Sequence, residues 1–457
     1  METTLDPAVL SRIVRRRAGR EPDRVVVVFE NGSRPVERVT VSDLAVHGNQ
    51  VAAVLAGLGL APGTPIALLA GNSPELLYTM VAASQLALPA LPLAPRTRPD
   101  ALAGLLARTG CGAILVDEQI LTDLDVAAAI ARSGVQPIVV GAPGRPEGPS
   151  LGPLLGEILA GAEAPDAGEA VTDLAEPWLL LPIPAPAPDP RLLQVGHDRE
   201  RVLRQIPAHF GYRPDDVAYN GLTALHPNAL LATVLPALRG QIDRAVLSRQ
   251  FSTARLWDIC IAHGVTTVSS HGELASAVYN EPSTDRDNAH RVRLVVSVGM
   301  PREIWRAFEQ RFGVRVLEWY GTFEGGFACN PAGVGPVGSF GKPPVDLVMD
   351  VVDADGEAVP AGSIGELILR PAGSPAVVTY HRDPEASARA VEDGWLRTGD
   401  LVTRDANGWL YFVAHKVDTP DADRGDADRG DADRGDGDRA GADSRHLSAV
   451  PSGARNP

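Results

Sequence analysis

Short apolar runs recur along the chain, each followed by a stretch whose apolar positions are spaced three or four apart. The runs 65–70, 88–93 and 113–116 read as strands. Between them lie helix patterns. Ser42 caps one that carries Val51, Val54, Leu55 and Leu58 to a glycine stop at Gly57–Gly59, Ser73-Pro74 opens the next, and 99–108 forms the third. The alternation resumes with helices at 201–210, 228–238, 254–263 and 302–312. Strands at 217–220, 245–247, 265–269, 294–297 and 314–318 separate them. Apolar strands joined by single helices predict βαβ units and parallel sheets. The Gly- and Pro-rich stretch from about 135 to 175 predicts a connection with little structure of its own. After Gly335 the pattern changes to strands joined by turns, 347–352 and 365–369 about Asp353-Ala354-Asp355-Gly356. The fold class expected is α/β, with two α/β layers over 1–335 and a small β-rich subdomain over 336–418.

From Thr419 the pattern disappears. Asp-Ala-Asp-Arg-Gly repeats three times from Asp421, and a tract so charged has nothing to bury, so 419–457 is expected to be disordered. The chain has 457 residues and a formal net charge of −15, which argues against a general nucleic-acid binder. Its three cysteines, Cys111, Cys260 and Cys329, form no C-x-x-C pair and fit a reducing cytoplasm better than a disulfide framework. No apolar run reaches the ~18 residues of a membrane span, and the basic N-terminal stretch lacks a signal-peptide core. No G-x-G-x-x-G follows any strand, so the dinucleotide fingerprint is missing.

Four segments carry a family resemblance. Glu318-Trp319-Tyr320-Gly321-Thr322-Phe323-Glu324 resembles the Tyr-Gly-x-Thr-Glu signature of adenylate-forming enzymes. Gly394-Trp395-Leu396-Arg397-Thr398-Gly399-Asp400 is similar to their Thr-Gly-Asp motif, and 405–418 to the approach to their inter-domain hinge. The segments 272–287 and 299–312 resemble the fatty-acyl and carnitine-type branch. In order and spacing these identify the chain as similar to an AMP-forming acyl-CoA synthetase over roughly 20–418. The resemblance implies a reaction that joins a carboxylate to AMP and passes the acyl group to a thiol. It implies that Tyr320 stacks on adenine, that Gly299 and Gly321 let backbone approach the nucleotide, and that Asp400 binds the ribose hydroxyls. Glu324 would hold Mg²⁺ against the phosphates of ATP or AMP, with Thr322 beside it. His226 and His271 would line the acyl pocket, although a structural role is as fitting for either. An acyl or carboxylate small molecule is the implied partner, with CoA or a carrier-protein thioester as thiol partner.

The chain departs from this pattern at the phosphates. Where the family carries a Ser/Thr/Gly-rich loop ending in Pro-Lys, this chain reads Pro182-Ile183-Pro184-Ala185-Pro186-Ala187-Pro188-Asp189-Pro190. Each proline removes an amide donor, and alternate prolines favour an extended path that does not curl around phosphate. Arg191 is the one cation nearby. Phe323 replaces the family threonine and His415 replaces a ribose-contacting arginine, while Asp418 matches the hinge residue. The family's small C-terminal domain, with its adenylation lysine, is expected to be lacking after Asp418. The expectation is a divergent homologue that keeps an acyl or adenylate pocket but has lost autonomous ATP-dependent activation. It would act as a binding or partner protein, or on an already activated acyl group. The alternatives are a ligase completed by a partner chain, and a truncated homologue without function.

Overall fold

The computed structural model describes residues 8–416, apart from 31, 33–34, 96, 142–154, 162–163, 165 and 184–189. The repeat tract 419–457, Asp418 and most of the Pro-rich segment therefore lie outside the described residues.

Three sheets organise the chain. The first has six strands in the order Gln136–Val140, Ala113–Asp117, Ile66–Leu69, Ala90–Pro92, Pro177–Ile183 and Arg191–Gly196. Its first five strands pair in parallel, and the last turns back antiparallel with Ile183 opposite Arg191. The second has eight strands. Six run parallel: Arg315–Thr322, Leu294–Val298, Thr267–His271, Val217–Asn220, Arg244–Ser248 and Val25–Glu30. Gly326–Asn330 and Glu37–Thr40 close its edges antiparallel. The third is wholly antiparallel and is built from Leu347–Val352, Ile364–Pro371, Trp395–Arg404, Val391–Glu392 and Leu410–His415. This is the expected α/β class with its smaller β-rich sheet. The predicted parallel strands at 217–220 and 294–297 are present and flank the one predicted at 265–269, which runs two residues later as Thr267–His271.

Several local expectations need correction. The helix Val41–Gly57 is capped by Thr40, not Ser42: the Thr40 hydroxyl accepts the Asp43 N–H while the Asp43 carboxylate accepts the Thr40 N–H. That reciprocal box satisfies two amides at once, which a cap two residues later would not do. The supposed connection after 135 contains the strand Gln136–Val140 and the short helix Leu155–Leu159. The expected helix 201–210 is two short helices, Glu200–Leu203 and Ile206–His209. The helix 228–238 is present but widens to a π turn over Leu230–Val234. Pro236 explains the turn, because its ring displaces the carbonyl four residues back and supplies no N–H to it. That carbonyl, on Ala232, instead accepts the Tyr212 hydroxyl at 2.8 Å.

Asn72 joins the first two layers. Its side-chain amide donates to the carbonyls of Leu222 (2.9 Å) and Ser248 (2.8 Å), and its carbonyl accepts the Ala224 N–H at 2.6 Å. The carboxyl ends of Val217–Asn220 and Arg244–Ser248 are thereby held against the first layer, and the carboxyl ends of strands are where open α/β sheets bind ligands.

Candidate functional site

Most of the predicted site residues converge at the carboxyl edge of the eight-stranded sheet. Tyr320, Gly321 and Thr322 end the strand Arg315–Thr322, and Phe323-Glu324-Gly325 form the turn into Gly326–Asn330. The Thr322 hydroxyl accepts the Gly326 N–H at 3.1 Å and the Thr322 carbonyl accepts the Gly325 N–H at 3.1 Å, so the turn holds Glu324 at its tip. Gly299 lies one strand over, with φ of 75° in the left-handed region that glycine tolerates.

Glu318 locks the Gly299 loop to the signature strand. Its carboxylate accepts the N–H of Gly299 and, at 3.1 Å, that of Met300. Burial pushes its carboxyl up to about 8, against the lowering effect of those amides and of Ser297. Gly272 is needed at the same junction, since a Cβ there would land on the Gly299 carbonyl oxygen. The resemblance covered Glu318 but gave it no role. Its signal is an acidic residue in an otherwise apolar strand.

Tyr320 and Asp400 are eighty residues apart and meet directly. The Tyr320 hydroxyl donates to Asp400 Oδ2 at 2.6 Å, and His415 Nδ1 donates to Asp400 Oδ1 at 2.7 Å. Asp400 is wholly buried, and Tyr320 packs against Phe340 with ring centroids 4.9 Å apart. Burial, then the Asp400 charge, raises the Tyr320 phenol well above its ordinary range, so it remains a donor. The structure thus joins the signature strand to the Thr-Gly-Asp strand of the antiparallel sheet. Ribose hydroxyls reaching Asp400 would have to exchange with Tyr320 or His415. The adjoining strand is tied in by Glu366, which accepts Arg397 (2.8 Å), Lys416 (3.0 Å) and the Gly399 N–H (3.0 Å).

Glu324 Oε1 accepts the Tyr380 hydroxyl at 3.3 Å, and Arg199 donates to the Glu324 carbonyl at 3.3 Å. Among the described residues no group of three His, Cys, Asp or Glu side chains could hold a metal by itself. One carboxylate suits Mg²⁺ only in its phosphate-sharing form, where substrate oxygens and waters complete the shell. Glu324 fits that role. The ion would supply charge neutralisation at a phosphate.

His226 and His271 lie at the adjoining strand ends. His226 caps the helix that begins at Pro227, its Nδ1 accepting the Asn228 N–H at 3.3 Å. His271 ends the strand Thr267–His271, and its buried Nδ1 has no hydrogen-bond partner among the described residues. Burial lowers His226 to about 3, with His271 adding a smaller push, and lowers His271 to about 4. Both rings are neutral at pH 7. Beneath them Asn228 donates to the Ser270 carbonyl at 3.2 Å and accepts from Asn220 (3.2 Å) and Ser269. Sequence reasoning missed this buried polar cluster, because the bonds to Asn228 span 8 to 42 positions.

A profile of the AMP-binding enzyme family matches residues 14–153 and 199–376. The chain belongs to that family, within the adenylate-forming acyl-CoA synthetases. It is 28% identical over 444 residues to the medium/long-chain-fatty-acid–CoA ligase FadD6 of Mycobacterium tuberculosis, covering 90% of this chain and 70% of that one. It is 28% identical over 447 residues to human long-chain fatty acid transport protein 5, covering 88% of this chain and 63% of that protein. Among solved structures, a benzoate CoA ligase from Burkholderia xenovorans superposes with a TM-score of 0.76 at 20% identity, over 89% of this chain and 80% of that one. The O-succinylbenzoate CoA synthetase of Bacillus subtilis, in complex with AMP, gives 0.74 at 20% identity, over 89% and 79%. These superpositions establish the fold. No helix among the described residues is long and apolar enough to cross a membrane.

Proposed function

We propose that this chain binds an adenylate, either AMP or an acyl-adenylate, at the junction of the eight-stranded and antiparallel sheets. Its substrate would be a carboxylate or acyl group, of the fatty-acyl kind by analogy with the named relatives, with a thiol such as CoA as acceptor. The observation that carries this reading is the 2.6 Å bond between Tyr320 and Asp400, which brings the two signature segments into one site. Gly299 and Gly321 supply the close backbone, Glu324 the metal-facing carboxylate, and His226 with His271 a neutral wall at the acyl end.

In the same proposal, activation of a free carboxylate by the chain alone is slow. The segment 182–190 offers three non-proline amides besides Ile183 and no hydroxyl or lysine. The family match also stops at 153 and resumes at 199, on either side of that segment. Charge-assisted bonds are worth ~2–3 kcal/mol each, so losing two of them costs roughly a thousandfold or more in rate. The test is calorimetry with AMP beside carboxylate-dependent exchange of pyrophosphate into ATP. AMP binding with exchange near background supports the reading. Robust exchange abolished by Glu324→Ala and Asp400→Ala would replace it with that of a self-sufficient ligase. Absence of any nucleotide or acyl-CoA binding would overturn the pocket itself.

A further inference from the structure

At the carboxyl end of Thr267–His271 the chain buries polar chemistry that the fold does not spend. His271 is 8% exposed, and its Nδ1 has no partner among the described residues. Protein interiors keep few such atoms without a use. The strand register places the ring. Ser269 pairs with Asn220 and His271 with Val298, and side chains two apart share a face. The Ser269 hydroxyl donates to Asn228 Oδ1, so this face looks onto the helix that begins at Pro227. His226 precedes that helix two residues before Asn228, as His271 follows Ser269 by two. The two rings therefore stand together above Asn228 and Ser269, and His271 is the neighbour that adds to the lowering of His226. The pair also adjoins the loop assigned to the nucleotide, because a Cβ on Gly272 would strike the Gly299 carbonyl oxygen.

Below the rings lies a closed floor. Asn220 and Asn228 are wholly buried. Asn228 Nδ2 donates to the Ser270 carbonyl and Asn220 Nδ2 to Asn228 Oδ1, both at 3.2 Å, while Asn220 Oδ1 accepts the Leu222 N–H at 2.8 Å. These bonds are spent on one another and on backbone. An alkyl chain pushed between helix and sheet would break them and return nothing. The rings set the chemistry above that floor. His226 Nδ1 accepts the Asn228 N–H, so the neutral ring carries its proton on Nε2. Burial accounts for the lowering of His271, and burial with His271 for that of His226, with no ion contributing to either. A second carboxylate or an ammonium group would therefore meet no counter-charge here. A hydroxyl needs none, and because it both donates and accepts it matches either tautomer of His271. We infer that the acyl end takes a short hydroxycarboxylic acid, its hydroxyl on His271 Nδ1 and its carbon chain ended by the floor of Asn220, Asn228 and Ser269. This narrows the fatty-acyl kind to its short, hydroxylated members, and it rests on the adenylate reading for the position of the reacting carboxyl group.

Calorimetry on the full chain tests it with AMP and with N-acylsulfamoyl adenosines, which are unreactive mimics of acyl-adenylates. The acyl groups are (R)- and (S)-3-hydroxybutanoyl, butanoyl and hexadecanoyl. One 3-hydroxybutanoyl enantiomer should bind tighter than butanoyl by at least about fivefold, the worth of one buried hydrogen bond. Hexadecanoyl should bind no tighter than butanoyl. In His271→Leu the ratio of hydroxybutanoyl to butanoyl affinity should fall to about one, and in His271→Gln, which restores a hydrogen-bonding group, part of it should return. The ratio is taken within each variant, so a general loss of affinity does not imitate the effect. Arg389→Gln, which removes an exposed guanidinium paired with Glu385, serves as the control and should keep the wild-type ratio. Thermal melts matching wild type confirm that each variant folds. Hexadecanoyl as the tightest ligand overturns the inference, as does a wild-type ratio near one or a ratio that survives in His271→Leu. AMP binding without binding of any mimic overturns it too and leaves the adenylate reading standing. Failure of AMP and of every mimic to bind sinks the adenylate reading and this inference with it.

Discussion

Glu318 shows how a single buried side chain links the site to pH. Its carboxyl is raised from 4.5 to about 8, with burial as the main cause. The native state therefore holds a proton that the unfolded chain releases at lower pH. Stability from this group is full below about 4.5 and is lost as pH rises toward about 8. The expected outcome is a melting temperature that falls between pH 5.5 and 8.5, with a flatter profile in Glu318→Gln, which resembles the protonated acid. An unchanged slope in that variant would assign the pH dependence elsewhere. The Tyr320–Asp400 bond gives a second prediction at this scale. Tyr320→Phe removes the donor of the 2.6 Å bond to a wholly buried carboxylate and should cost about 1–3 kcal/mol in urea denaturation. Asp400→Asn should weaken AMP by tenfold or more in calorimetry, because a ribose hydroxyl bonds an ionised acceptor more strongly than an amide. The sequence placed both residues through their motifs. It gave no sign that they bond to each other, or that His415 shares the same carboxylate.

Elements were legible where their physics is local. The strands at 217–220, 294–298 and 347–352 are short apolar runs with clear ends, and the helix Arg302–Phe312 stops at Gly313 in the left-handed conformation. The strand Gln136–Val140 was hidden because glycine and proline dominate the sequence that follows it. The π turn depends on a tertiary partner, the Tyr212 hydroxyl, that no local pattern announces. The bridge of Leu193 to Tyr380 joins residues far apart in sequence and was equally invisible. Two glycines make the local rule testable. Gly272→Ala would drive a methyl into the Gly299 carbonyl, an overpacking that costs typically 1–3 kcal/mol and shifts the loop beside Tyr320. AMP affinity and thermal stability should both fall. Gly104→Ala lies within the helix Pro99–Thr109, where nothing among the described residues stands within 4 Å of the new methyl. It should stabilise by about 0.5–1 kcal/mol, through helix propensity alone, and leave AMP binding untouched.

At the scale of the molecule, the three sheets share one apolar core. Leu68 of the first sheet, Leu247 of the second and Leu369 of the third belong to the same buried cluster. The junction of the second and third sheets, where Tyr320 meets Asp400, is therefore held by the packing that holds the fold. Unfolding one sheet would expose the apolar face of another, so the described residues should melt in a single transition, seen alike by far-UV circular dichroism and tryptophan fluorescence. Asn72→Ala tests whether the layers are joined by this core or by the polar staple across it. The substitution strands the Leu222 and Ser248 carbonyls and the Ala224 N–H, at about 1–3 kcal/mol for each buried group left unpaired. With a shared core the transition moves down by several degrees and remains single. Two separated transitions would mean that the staple, and not the core, couples the layers. Saturating AMP supplies the complementary measurement. A ligand at a hundred times its Kd adds about 2.7 kcal/mol to whatever unfolds with its site. If the core is common, that increment raises the one transition of wild type and of Asn72→Ala equally. If only a later transition of the variant rises, the site belongs to the second and third sheets alone.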